Sequence, residues 1–409
     1  MNISFFIGNG FDINLGLRTA YSEFIKWYLK QETNNPVISE FKKMIASNID
    51  TWSNLEVALG QKTIAFPLDN PETFIMCKKD LDVHLQIYLR KENYRFSSNP
   101  LPEYISQFKD SLIHYKKYCD SKVQRELNAI YKFYIKEDRC YNIITFNFTD
   151  TVDVLWAKTT SKFAKRTIRK RKVSNDDFFD RIAKALDSIV TYDYKGQLIH
   201  IHGTIDNAMM TGVNDIEQIS NVKFRVNEDV LDCCIKPLMN ENCGNRLNDR
   251  VSDIIEKTNV FVVFGMSIGE TDKIWWDKIV RRVIENEHCY LLLVNYDNSF
   301  DRILPYTATY ATKSMVANLY RITNLDEREC AILNSRLGIQ FNTDIFKLTA
   351  DQTYEKLRHK KRAISRKIKS YWRLFCDNFS VYLISFILVI LIILTMLVIL
   401  KSGNLLVKS

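Results

Sequence analysis

Glycine and proline are scarce in this 409-residue chain, at 12 and 7 residues, which excludes long low-complexity linkers. No internal repeat is present. None of the nine cysteines is spaced C-x-x-C; Cys233 and Cys234 are adjacent and Cys243 lies beyond, so no metal site of the zinc type is expected. The start, Met1-Asn2-Ile3-Ser4, lacks a basic region and a cleavable apolar stretch, and the catalytic part is therefore expected in a reducing cytoplasm. Disorder is excluded as well, because 46% of residues are hydrophobic and 12% aromatic. The length fits one elaborated α/β domain or two domains.

Charge is missing altogether from Val381 to Leu400, about the 20 residues that cross a hydrocarbon core. A transmembrane helix over 379–400 is the expectation, with a buried core helix as the alternative. Nine cations and no acid lie between Lys356 and Arg373, and the net charge is +9, so the rest of the chain is neutral (9 − 9 = 0). By the positive-inside rule the amino-terminal part stays cytoplasmic. The expected location is single-pass in the cell inner membrane, with a basic linker over 351–378 facing anionic lipid and a short tail over 401–409. A neutral body disfavours nucleic acid as a partner. A second basic cluster, Lys158 to Lys172, reads as a solvated helical insertion over about 157–190, or as a contact for nucleic acid or polyphosphate.

What is present begins with a short apolar strand, Ile3 to Ile7, followed by Gly8-Asn9-Gly10-Phe11-Asp12. Two glycines flanking one residue allow a sharp turn and close approach to a ligand, whose phosphate oxygens such N–H groups can cradle; the alternative is a turn that only packs strand on helix. Thr19 is the expected N-cap of a helix carrying Tyr21, Phe24, Ile25 and Tyr28. Helices are expected through roughly Lys136, as an insertion over about 30–137. Further buried strands are expected at Asn142–Phe146, Leu198–Ile201, Val260–Phe264 and Tyr290–Val294, with a helix from about Lys273 to Glu287 between the last two. Ligands bind beyond the carboxyl ends of such strands. Those ends carry Thr145-Phe146-Asn147-Phe148-Thr149-Asp150, His200-Ile201-His202-Gly203, Gly265-Met266-Ser267-Ile268-Gly269-Glu270-Thr271-Asp272 and Asn295-Tyr296-Asp297.

These motifs, with Trp52 and Glu56 in Trp-Ser-Asn-Leu-Glu and the run Thr19-Ala20-Tyr21-Ser22-Glu23-Phe24, resemble the AbiH family of bacteriophage abortive-infection proteins. More remotely, the order of glycine turn, Thr-x-Asn loop, His-Gly pair and Gly-x-Ser loop is similar to sirtuin-type NAD-binding domains. The expected 1–350 domain is thus a Rossmann-like, sirtuin-like parallel sheet. The resemblance implies an antiphage effector that binds, and hydrolyses, NAD or a related nucleotide. Thr149 stands where sirtuin-like proteins place an aspartate, and Asp150 replaces it only if the loop shifts by one. The zinc-binding cysteine pairs of deacylating sirtuins are missing, which counts against protein deacylation.

Cleaving the nicotinamide–ribose bond builds positive charge on the sugar carbon, and the leaving ring needs no proton. His202 and Asn147 suit orientation of the ribose or of water, with Asp12 and Glu56 as further catalytic candidates. Gly8, Asn9, Gly10, Phe11, Gly265 and Gly269 are expected at the pyrophosphate and nucleoside ends, and Thr145, Asp150, Gly203, Ser267 and Asp272 at the remaining ligand contacts. Structural alternatives stand beside these. His202 can be a packing histidine, His200 and His202 a metal pair on one strand face, Asn147 a turn residue, Trp52 core, and Thr271 or Asp272 an N-cap. Two other functions stay open: a non-enzymatic nucleotide binder acting through its membrane helix, and a metal-dependent nuclease or phosphotransferase. The phage-derived trigger is unidentified, and self-association is allowed.

Overall fold

Apolar residues with a two-residue period build the centre of the protein. In the strand Asn2–Ile7, Ile3, Phe5 and Ile7 face one core and Phe6 the other; Val260 and Val262 oppose Phe261 and Val263 in the same way. Both faces of the sheet are therefore buried, which is why these strands read as continuous hydrophobic runs. The computed structural model describes residues 1–97, 102–168, 189–244, 246–296 and 305–348. The predicted 351–378 linker, 379–400 span and 401–409 tail lie outside the described residues, among which no helix is long and apolar enough to cross a membrane.

Seven strands form one sheet: β1 (Asn2–Ile7), β2 (Arg139–Thr145), β3 (Lys162–Ile168), β4 (Ile189–His200), β5 (Val260–Phe264), β6 (Tyr290–Asn295) and β7 (Leu337–Phe341). Their order is β3-β4-β2-β1-β5-β6-β7. All neighbours are parallel except β3 and β4. The six parallel strands thus run 3-2-1-4-5-6, the doubly wound order, whose topological switch point falls between β1 and β5. Register levels the carboxyl ends. Ile7 pairs with both Thr145 and Phe264, Thr145 with His200, and Phe264 with Val294.

Several sequence expectations shift. The helical insertion starts directly after β1: helices at Gly10–Asn14, Tyr21–Tyr28, Pro36–Ser47, Leu55–Gln61, Pro71–Ser97, Pro102–His114 and Ser121–Phe133 all lie in the β1-to-β2 crossover. The residues from Phe24 to Leu89 build a separate apolar core there, closed by Val213, Ile219, Phe224 and Val230. In the basic cluster, expected as helix, Lys158 ends the helix Thr151–Lys158 but Lys162, Lys165 and Arg166 lie in β3, while 169–188 lie outside the described residues. Phe163 packs edge-on against Tyr141 and Trp156, and Arg166 Nε meets the buried Asp193 at 2.8 Å. Strand β4 is far longer than Leu198–Ile201, and β7 was not expected at all. Ala20, not Thr19, occupies the N-cap of Tyr21–Tyr28; Thr19 Oγ1 instead donates to Asn9 Oδ1 at 2.5 Å.

Candidate functional site

The two glycine turns meet each other before they meet any ligand. Gly8 N donates to Phe264 O (3.0 Å) and Gly10 N to Gly265 O (2.8 Å). A Cβ on Gly8 would lie 2.5 Å from Met266 Cα, and one on Gly10 would lie 2.5 Å from Gly265 Cα. Gly265 itself has φ +61, a conformation that costs most residues energy. The glycines therefore bring β1 and β5 together at the switch point. The N–H groups of Gly8 and Gly10 are engaged there, so the turn cannot cradle a phosphate through those two. What the close approach opens is a crevice of about 1860 Å³ above the strand ends, larger than the ~300–1,000 Å³ of ordinary ligand pockets.

Behind the first turn, Asp12 is buried and accepts from Thr149 Oγ1 and Thr151 Oγ1, each at 2.6 Å. Burial raises its pKa to about 6 against the opposing pull of the two threonines, Asn147 and His200. Thr149 thus reaches the carboxylate directly, whereas Asp150 N donates to Asn93 Oδ1 (3.1 Å). Asn147, buried on the crevice wall, lies close enough to lower the Asp12 pKa. Yet by distance and angle neither its Nδ2 nor its Oδ1 completes a hydrogen bond among the described residues; the amide acts on Asp12 from nearby without full bonding geometry. Its backbone is fixed instead: Asn147 N donates to Thr145 Oγ1 (3.2 Å), and Asn147 O meets His200 Nδ1 (2.8 Å). His200 Nε2 contacts Asp153 Oδ2 at 2.6 Å, so this histidine braces the loop. Burial opposes its charge, but Asp153 outweighs that and holds its pKa above the ordinary value.

Across the crevice sits a buried charge cluster. Lys236, from the helix Lys236–Asn242, places Nζ 3.0 Å from Glu56 Oε2 and 3.3 Å from Asp272 Oδ1. Tyr21 OH donates to Glu56 Oε1 (3.2 Å), and His202 Nε2 stands 3.5 Å from Asp272 Oδ1. Burial works against the ammonium, but Asp272 and Glu56 together raise its pKa. Burial raises the Glu56 pKa although Lys236 opposes it. His202 is pushed well below the ordinary imidazole range, by burial first and then by Lys236. It is therefore neutral at pH 7, edge-on to Phe146 at 5.3 Å, and equipped to accept a proton or a hydrogen bond.

Among the residues expected from sequence, Asp12, Glu56, Asn147, His202, Gly8, Asn9, Gly10, Gly265, Ser267, Gly269 and Asp272 all line the crevice. Phe11, Thr145, Asp150 and Gly203 do not. Phe11 is core, packed against Phe108, Phe264 and Phe346. Thr145 bonds Ile7 O (3.2 Å) beneath the floor, and Gly203 has φ +73 in the turn that follows His202. The strand ends at His200, so His200 and His202 share no strand face as a metal pair would require. Asp272 occupies the N-cap of Lys273–Glu285 but makes no side-chain cap bond. Trp52 is fully buried, edge-on to Phe41 at 5.6 Å.

Lys236 is the cluster member that sequence reasoning missed. Its partner Glu56 is 180 residues away, and no motif surrounds it; the only available signal was a lysine beside Ile235 and Pro237 in an otherwise apolar stretch.

A family model described as "Bacteriophage abortive infection AbiH" matches residues 5–296, well over half the chain and every crevice residue as far as Tyr296. No curated protein matches. The chain belongs to the AbiH family of bacteriophage abortive-infection proteins.

Proposed function

We propose that the crevice binds NAD or a closely related nucleotide and hydrolyses its nicotinamide–ribose bond, as the effector step of abortive infection. The observation that carries this reading is Asn147. A buried amide with neither atom partnered is expensive to maintain unless a ligand completes it, and this one faces the crevice near Asp12, at the switch point where doubly wound sheets bind nucleotides. His202, neutral and buried, supplies the base. Water forms the new bond to the ribose carbon, the nicotinamide leaves with the bonding electron pair and becomes neutral, and the proton of water passes to His202 and then to solvent. Asn147 orients the ribose or the water, and the sirtuin-like order of loops supports the same arrangement.

The charge-free run Val381–Leu400 and the nine cations before it support tethering at the cytoplasmic face of the inner membrane. They also favour a second reading, in which nucleotide binding is a signal and the helix disturbs the bilayer. Deleting Val381–Ser409 separates the two: protection and turnover that survive leave the helix as an anchor. To test hydrolysis, the purified full chain is incubated with NAD and nicotinamide release is followed. His202→Ala abolishes release while the protein remains folded. An inert wild type, in infected cells as well as in solution, overturns the hydrolase reading.

A further inference from the structure

The helix Pro305–Thr323 borders the crevice beyond β6, outside the family match. Residues 306, 310, 314 and 318 recur every four positions and form one stripe; Tyr306, Tyr310, Ser314 and Asn318 all line the cavity. The helix is locked at its carboxyl end, because Leu319, on the side away from the stripe, and Ile322, one turn beyond Asn318, are buried in the core. Asn318 Nδ2 donates to Ile268 O (2.8 Å), and Arg321 bonds Glu270 (2.7 Å). The helix cannot rotate its tyrosines away. Tyr306 and Tyr310 are nevertheless 68% and 77% exposed, and Tyr296 at the end of β6 is 72% exposed. Three large rings standing in a cavity wall are unusual, and a ring with a free face suits a planar base.

We propose that Tyr306 and Tyr310, with Tyr296, form a stacking subsite for the adenine base of a dinucleotide whose nicotinamide end lies at His202 and Asn147. The assignment rests on the dinucleotide reading above and adds to it the position and chemistry of the second base. Strand spacing supports the span. His202 follows β4 and Tyr296 follows β6, four strand intervals apart, which is roughly 19 Å at the usual spacing. The spacing describes the strand ends, and since the His202 side chain also reaches the β5 loop, 3.5 Å from Asp272, a dinucleotide with its two bases can occupy both walls. The rings are sequence-tolerant platforms, since stacking uses the face of the base and not its edge.

The test is binding by the full chain of two fragments, ADP-ribose, which carries the adenine, and nicotinamide mononucleotide, which does not. Tyr306→Ala with Tyr310→Ala weakens ADP-ribose about tenfold or more and leaves nicotinamide mononucleotide unchanged. Phenylalanine at both positions restores binding. Both side chains are exposed, so the alanine variants are expected to fold. Equal ADP-ribose affinity in the wild type and the double alanine variant overturns the subsite, and so does a wild type that does not bind ADP-ribose. Tyrosine-dependent ADP-ribose binding by a protein that never releases nicotinamide supports the subsite and refutes only the hydrolase reading.

Discussion

Replacing Lys236 by methionine removes the cation shared by Glu56 and Asp272 and leaves two buried carboxylates facing each other. Breaking a buried ion pair by deleting one partner costs about 3–5 kcal/mol, because the remaining charge is uncompensated. Tyr21 still donates to Glu56, which favours the lower half of that range, about 3–4 kcal/mol. In a unit of this size each kilocalorie moves the midpoint by no more than about 2 °C, so the fall is up to about 8 °C. The deficit depends on pH. Glu56 is already held above its ordinary pKa by burial. A carboxyl raised in this way contributes most below its unfolded pKa and loses that contribution as pH rises through the folded one. Without Lys236 the rise is larger, so the deficit is greatest near pH 8 and shrinks toward pH 5. Thermal unfolding of the full chain, followed by tryptophan fluorescence at both pH values, measures it. Adding Glu56→Gln to K236M is expected to recover part of the loss. A variant that melts with the wild type near pH 8, or whose deficit is the same at both pH values, refutes the reasoning.

Asn147→Ala removes two buried unpartnered polar atoms, so stability holds or rises by up to about 1 kcal/mol while nicotinamide release falls; a large loss of stability would assign the amide a structural role. Asp12, raised to about 6 by burial, stabilises the fold fully below its unfolded pKa near 4 and loses that contribution as pH rises through 6, an effect on the order of 3 kcal/mol. Urea unfolding near pH 4 and pH 7 is expected to show this slope in the wild type and not in Asp12→Asn, and parallel profiles would count against a buried, shifted carboxyl.

Much of the sheet was legible because buried parallel strands are continuous apolar runs: Val260–Phe264 was read to the residue, and the loops after the strands were correctly placed at one edge. Charge density misled where it conflicted with burial. The lysines and arginines around Phe163 suggested a solvated helix, whereas Phe163 and the Arg166 pair with Asp193 hold a strand. Glycine was read for ligand access, and the structure adds a second cause, the contact of Gly10 with Gly265, that a local motif cannot reveal. Lys236 was invisible for a related reason. Its importance comes from partners at positions 56 and 272, which are brought together only by the fold.

β1 is made before both strands that flank it in the middle of the sheet. β1 must wait for β2, whose partner residues end at Thr145, and for β5, which ends at Phe264. At about 5–20 residues per second, synthesis to that point takes roughly 13–53 s. Throughout that interval the Gly8–Gly10 turn has no Gly265 to close against, and Glu56 meets Lys236 only near its end and Asp272 only after it. Prematurely terminated chains therefore carry half a crevice. This chain order makes the crevice a late assembly, because its closing contacts, Gly10 with Gly265 and Glu56 with Lys236, join segments far apart in the chain.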